Sequence, residues 1–240
     1  MNYFENVIYY LNKVNDTQTA QMNAAAKAVK NAIVKGGLVY IFGCGHSHLL
    51  GLDCFYRAGG LANVYPILKE SLMLHESASL SSVLEKDEKA VAGLLDGYNI
   101  GKNDVLFVIS TSGKNGAPVD VALQGKKKGV TVVTICSSEY FSEASKHSSH
   151  KLLKDVGDVV IDNCVPHGDA VLDIVGGGVK SAPVSTAVTS FIMQNVIALG
   201  ETLAVEEGAH PDVFMSGNVE GGAEFNKALI EKYKPLVKCL

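Results

Sequence analysis

Twice in this chain an apolar run breaks into a small polar turn and then into a helical pattern, and this repetition most narrows the possible folds. Residues 105–109 (Val-Leu-Phe-Val-Ile) lead into Ser110-Thr111-Ser112-Gly113-Lys114-Asn115, followed by a helical run over 117–128. Residues 38–42 lead into Gly43-Cys44-Gly45-His46-Ser47-His48 and a predicted helix over 49–57. A strand, a polar turn and a helix leave free N–H groups and hydroxyls at the positive end of the helix, where a phosphate can sit. Ser110, Thr111, Ser112 and Asn115 can all donate to phosphate oxygens without adding a formal charge. In the earlier turn the glycines permit positive φ and close backbone approach, and Ser47 stands where a helix begins. In a parallel sheet such turns open at the carboxyl ends of the strands, so two of them can face one crevice. The pattern predicts a phosphorylated small molecule as ligand.

The rest of the chain fits that plan. Strands are predicted at 38–42, 62–67, 104–109, 130–135 and 158–162, with helical segments between most of them. This alternation implies a mostly parallel sheet with helices on both faces, joined by right-handed crossovers. Helical periodicity over 3–35 ends at Gly36-Gly37, with Asn15-Asp16-Thr17 a candidate break. Residues 185–205 form a helix apolar on nearly every side, which predicts burial by the sheet and by a second subunit. The alternative is one internal core helix in a monomer. Ser185 or Thr186 is the expected N-cap. The whole reads as a single domain: an N-terminal helical arm (1–36), a core (37–207), and a tail with a short helix (208–240).

Composition excludes several function classes. Hydrophobic residues make up 47% of the 240, tryptophan is absent and the net charge is −4. The longest basic run is Lys126-Lys127-Lys128, suited to a solvated helix C-terminus, so no nucleic-acid partner is expected. The N-terminus carries no signal pattern, and no apolar stretch is expected to reach the ~20 residues that cross a bilayer. Five scattered cysteines without a C-x-x-C pair predict reduced thiols in the cytoplasm rather than disulfides or a zinc cluster. Cys44, in the glycine turn, is either a reactive thiol or a small residue tolerated there. His147 and His150 have a spacing open to a metal, but exposed surface histidines are the expectation.

Together, Gly43-Cys-Gly-His-Ser47 and, some sixty residues on, Ile109-Ser-Thr-Ser-Gly113-Lys-Asn115 resemble the sugar isomerase (SIS) domain. That family includes phosphoheptose isomerase, the isomerase half of glucosamine-6-phosphate synthase, N-acetylmuramic acid 6-phosphate etherase and sugar-phosphate-sensing regulators. The likeness runs over residues 1–207. It is narrower for a group of single-domain SIS proteins, whose Leu74-His-Glu76 and 211–222 segments look like those here. The resemblance implies a three-layer αβα sandwich, flavodoxin-like, with a mostly parallel five-stranded sheet. It also implies a homodimer or homotetramer with sites near subunit boundaries. The Ser110–Ser112 turn would hold a sugar phosphate, with Gly45, His46 and Ser47 close by.

Aldose–ketose isomerisation moves a proton between C1 and C2, so it needs a base near C2 and donors for the developing oxyanion. Carboxylates and imidazoles suit this work. The candidates are Glu85, His75, Glu76, His46, His48 and His210. Glu85 ranks first because a glutamate in a similar segment acts in the etherase; the plainer reading is a solvated helix face. His75-Glu76 is an acid/base pair in a predicted loop. Lys180 is a candidate phosphate partner, and 162–169 follows the last strand and can close over the same crevice. Some phosphoheptose isomerases bind zinc through a histidine and a glutamate on the helix after the first turn and residues of the late helix. Here the first of these helices reads Asp53-Cys-Phe-Tyr-Arg57 without a glutamate, and the late helix has no histidine, so no metal is expected.

The leading reading is therefore a phosphosugar isomerase working by proton transfer without a cofactor. A lyase of the etherase type shares the same first proton abstraction. A sensor module is the competing class, although sensors of this family usually carry a basic DNA-binding domain that this chain lacks room for. A dinucleotide enzyme is disfavoured, because Leu49 stands where the third glycine of the fingerprint belongs.

Overall fold

Five short, fully paired strands form the centre of the computed structural model, which describes all of residues 1–240. They are β1 (Val39–Gly43), β2 (Val64–Ile67), β3 (Val105–Ile109), β4 (Thr131–Cys136) and β5 (Val159–Asp162). All neighbours are parallel, in the order β2-β1-β3-β4-β5. Side chains alternate across the sheet. Val39, Ile41, Val105, Phe107 and Ile109 join one core, while Tyr40, Phe42, Leu106 and Val108 join the other. Each face is then covered by helices, giving the three-layer αβα sandwich.

One face carries α1 (Tyr3–Val34), α2 (Leu49–Cys54) and α5 (Ser185–Glu206); the other carries α4 (Gly116–Lys128). The remaining helices are α3 (Leu74–Leu84) and α6 (Gly222–Tyr233). The expected break at Asn15-Asp16-Thr17 does not occur: α1 is continuous over 32 residues. Thr17 and Thr19 return their hydroxyls to the carbonyls of Lys13 and Asn15 inside the same helix, so these polar residues do not compete with it. A capping box between Asn2 and Glu5 starts the helix. Helices α1 and α5 approach so closely at Gly200 that a Cβ there would lie 2.7 Å from Val29 Cγ1.

By length and hydropathy α5 could cross a bilayer, its most apolar window averaging 1.4. This corrects the expectation that no stretch is long enough. Here Val188, Ile192, Met193, Val196 and Ile197 are packed into the core with α1 and the sheet. The sequence reading also lacked a two-stranded antiparallel hairpin, β6 (Ala170–Gly176) and β7 (Val179–Pro183). Its signal was present in Ile174-Val-Gly-Gly-Gly-Val179, apolar residues flanking a glycine turn. The first part of the tail packs back on the body of the chain: Ala62 N donates to Asp212 O, and Gly59 and Gly60 exchange hydrogen bonds with Phe214.

Candidate functional site

The strand order reverses between β1 and β3, and in open α/β sheets a crevice forms at that point beyond the carboxyl ends. Gly43 pairs with Ile109 at the ends of these adjacent strands, so the two polar turns lie side by side. In the first, a Cβ on Gly43 would fall 2.6 Å from the Ser47 carbonyl, and Gly45 has φ +54°. The chain folds back as a single 3-10 turn, with Ser47 N donating to Cys44 O at 3.0 Å. Ser47 is half-buried and His46 exposed, whereas His48 is buried and turns its Nδ1 to Gly45 O. Cys44 is buried, and burial pushes its thiol well up. That favours the small-residue reading over a reactive thiol.

The second turn is tied to β4 and its loop. Ser110 N donates to Ile135 O, Ser137 N to Thr111 O, and Gly113 N to Ser110 Oγ. Ser110, Thr111 and Ser112 remain half-buried, and α4 begins without a side-chain cap. Asn115, at the N-cap position, turns its amide to Glu85 Oε1, and the first turn of α4 is met by the Glu85 carbonyl. Asn115 is 6% exposed, and its Oδ1 is buried without a partner.

Glu85 ends α3 and joins the two turns. Its carbonyl accepts from Ala117 N at the start of α4, one carboxylate oxygen meets Asn115, and the other lies 3.7 Å from where a Gly45 Cβ would be. Gly116 allows this approach, since a Cβ there would sit 2.7 Å from Glu88 N and Lys86 O. Burial raises the Glu85 carboxyl above the ordinary carboxylate range, and the Asn115 amide opposes the rise. The solvated helix face is thereby excluded for Glu85.

The other candidates are dispersed. His75 and Glu76 lie at the opposite end of α3, exposed and 3.5 Å from each other. A kink at Ser77 (φ −164°, ψ 106°) separates this pair from the rest of α3 and from Glu85. They are helical rather than in the expected loop. Lys180 stands exposed on the β6–β7 hairpin, and His210 is exposed on the tail. His147 corrects the expectation of a surface histidine: it is buried, with its Nε2 3.4 Å from both Glu88 and Asp120.

The start of α5 and the 162–169 segment, which was expected to close over the crevice, bring further groups to it. The crevice between the turns and α5 is lined by His46, Ser47, Thr111, Ser185, Thr186 and Thr189. The cap of α5 is neither Ser185 nor Thr186 but Asp169, whose carboxylate accepts from the N–H groups of Val184 and Ser185 and from Ser185 Oγ. Fully buried Asn163 bridges Thr111 and Thr189 at 3.4 Å each. The 162–169 segment thus packs behind two of the threonines that line the crevice. Beside the second turn, Glu143 accepts from Lys114 and His167, which hold its carboxyl below the usual range. The sequence pointed to the 162–169 segment from its place after the last strand, but it did not single out Asn163, Asp169, Thr189 or Glu143.

At the zinc-binding positions of the resemblance, Asp53 Oδ2 accepts from Ser190 Oγ and Gln194 Nε2 at 2.9 Å each, while its other oxygen pairs with Arg57. Asp53 is thus already satisfied, and no group of three His, Cys, Asp or Glu side chains converges there. This donor set does not fit a zinc ion.

A model of the SIS domain matches residues 2–137, spanning α1 and both turns. The chain belongs to the SIS domain family. A UPF0309 protein of Geobacillus thermodenitrificans is 44% identical over 99% of this chain and 96% of its own length, so within the SIS domain family the chain is a UPF0309 member. A phosphoheptose isomerase from Francisella tularensis shares the fold at a TM-score of 0.53 and 15% identity, covering 83% of this SIS chain and 95% of the other. The Vibrio vulnificus NanR protein complexed with ManNAc-6P does so at 0.50 and 13%, covering 99% and 69% respectively.

Proposed function

We propose that this SIS domain binds a sugar phosphate and isomerises it between aldose and ketose by proton transfer. The observation that carries the reading is the Glu85 carboxylate, half-buried, fixed by Asn115 and set beside Gly45, between the two turns. The phosphate is received by the hydroxyls of Ser110, Thr111 and Ser112 ahead of α4, with Ser47 and the Gly45–His46 backbone on the other side. Glu85 removes the C2 proton, its raised pKa bringing it nearer to working pH as a base. The unpartnered Asn115 Oδ1 accepts from a sugar hydroxyl. His75, Glu76 and Lys180 are exposed and make no hydrogen bond to Glu85, so the reading gives them no role in this proton transfer.

The protein works in this reading as a homodimer or homotetramer in the cytoplasm. Phe4, Ile174 and Val175, each more than 70% exposed, are apolar enough for a subunit contact. Sedimentation of a single monomeric species at micromolar concentration would refute the assembly.

The deciding experiment is proton NMR in D₂O with hexose, heptose, amino-sugar and N-acetylmuramic acid phosphates. Loss of the C2 proton signal for one compound identifies the substrate, and the products separate isomerase from lyase. A second reading, a binding module without chemistry, is favoured by the shared fold of NanR, which was solved with ManNAc-6P. It prevails if a sugar phosphate raises the Tm while no compound exchanges its proton.

A further inference from the structure

One buried polar cluster has no part in the proton transfer, yet it is built on the same two segments as Glu85 and Asn115. Glu88 stands three residues beyond Glu85 and opens a 3-10 turn, and Asp120 stands five residues beyond Asn115 on α4. His147 reaches between them from the loop after β4. It is 6% exposed, with its Nε2 3.4 Å from a carboxylate oxygen of each. The loop is shaped around this ring. His147 N donates to Ser145 Oγ at 3.1 Å, Ser145 Oγ donates to Lys151 O at 2.6 Å, and Ser149 N donates to His147 Nδ1 at 3.0 Å. Because Nδ1 accepts, the ring proton sits on Nε2, between the two carboxylates.

The backbone of the loop fastens both segments as well. Ser148 N donates to Glu88 Oε2 at 2.7 Å, and Lys146 N donates at 2.8 Å to the carbonyl of Lys114, next to Asn115. The hydrogen bonds from Ser148 hold the Glu88 carboxyl below the usual range, so it is charged at neutral pH. Gln124 Nε2 donates to the second oxygen of Asp120 at 2.6 Å. Lys89 and Lys146 bring positive charge towards Glu88 and Glu85 respectively, but His147 is the group that pairs with both Glu88 and Asp120. The imidazole therefore stands between two like charges, which otherwise oppose each other. They lie at the junction where Ala117 N meets the Glu85 carbonyl and Gly116 leaves no space for a Cβ.

We propose that His147 is a positioning residue for Glu85: by donating between Glu88 and Asp120 it holds the end of α3 against the start of α4, and so sets the contact of Glu85 with Asn115. The proposal rests on the proton-transfer reading for the role of Glu85 as base, whereas the contact itself can be followed in the free protein. Without the ring N–H, two carboxylates face each other and their repulsion parts the segments.

The test follows the Asn115 side-chain amide by NMR in protein carrying isotopically labelled asparagine, without substrate, from acid to neutral pH. His147→Leu, which keeps the bulk and removes the donor, should move this amide at neutral pH to the position of a solvent-exposed one. In acid, where one of the two carboxylates takes up a proton, the signal should return towards that of the parent at the same pH. His147→Gln, which retains an amide donor, should keep the parent signal. The double variant His147→Leu with Asp120→Asn, which removes the repulsion, should restore it; a ring needed for packing alone would not be replaced by a change at Asp120. For the compound of the sugar-phosphate panel that exchanges its C2 proton, His147→Leu should lower kcat about 10²-fold, the scale of a ~1 Å misplacement, with KM little changed. An unmoved amide in folded His147→Leu, or a double variant that unfolds or keeps the displaced signal, would overturn the proposal. If the Asn115 amide responds as expected and the parent exchanges no C2 proton, the isomerase reading fails and His147 stands as the group that sets the contact.

Discussion

The turns after β1 and β3 follow one plan and solve different problems. After β1 the chain folds back on itself so tightly that Gly43 has no space for a Cβ, and the 3-10 turn runs straight into a helix of only six residues. After β3 the turn is open enough to keep three hydroxyls half-exposed, and it starts a helix of 13 residues with no side-chain cap. The first turn is a matter of shape and the second of chemistry. In the proposed reading the second turn, with its three hydroxyls, is the phosphate seat and the first is its opposite wall. Glu85 depends on both, because Gly45 leaves room for its carboxylate and Asn115 orients it.

Substitutions that separate shape from chemistry can break this comparison. The largest effect is expected for Glu85→Gln, which keeps the Asn115 contact and removes the base. C2-proton exchange should fall by about 10²–10⁴-fold with sugar-phosphate binding retained. Loss of binding alongside exchange would make Glu85 a structural residue. Ser112→Ala should leave the Tm unchanged and weaken sugar-phosphate binding about 10–100-fold, the range for a hydrogen bond to a charged group. Calorimetry and thermal melts on the same samples would check both halves of that statement. Gly43→Ala should do the reverse, costing about 1–3 kcal/mol of stability by overpacking, or about 2–4 °C in Tm for each kcal/mol. An unchanged Tm would mean that the first turn is less rigid than its geometry implies.

The smallest effect concerns pH. The fold raises the Glu85 pKa by burial, so its contribution to stability is fully present below the unfolded-state value and is lost as pH rises through the folded one. Glu85→Gln should therefore melt higher than the parent at neutral pH and converge with it in acid. The rate limb that reports the base should lie above the ordinary carboxylate range. A limb at or below that range would remove Glu85 from the role.

Much of this molecule was readable before any coordinates. Strand runs such as 105–109 are apolar at every position, which in a chain with intervening helices means burial on both faces of a parallel sheet. Glycines and hydroxyls after two of them marked the carboxyl edge, because those residue types are what a tight turn at a helix start needs. Local signals failed where tertiary contacts outweighed them. Asn15-Asp16-Thr17 looked like a break, but burial of Val14 on one side and Met22 on the other keeps α1 whole. Ser185 was a better cap by type than Val184, yet a carboxylate arriving from Asp169 took the position.

The sequence by itself determined the sheet, its edge and the class of anion the turns suit, because strand burial, turn chemistry and helix starts are set by neighbours in the chain. The tertiary structure alone decided which acid reaches that edge. Glu85 and Glu76 flank the same helix, and one meets Asn115 while the other faces solvent. Periodicity cannot distinguish them, since the difference arises from where α3 ends against α4.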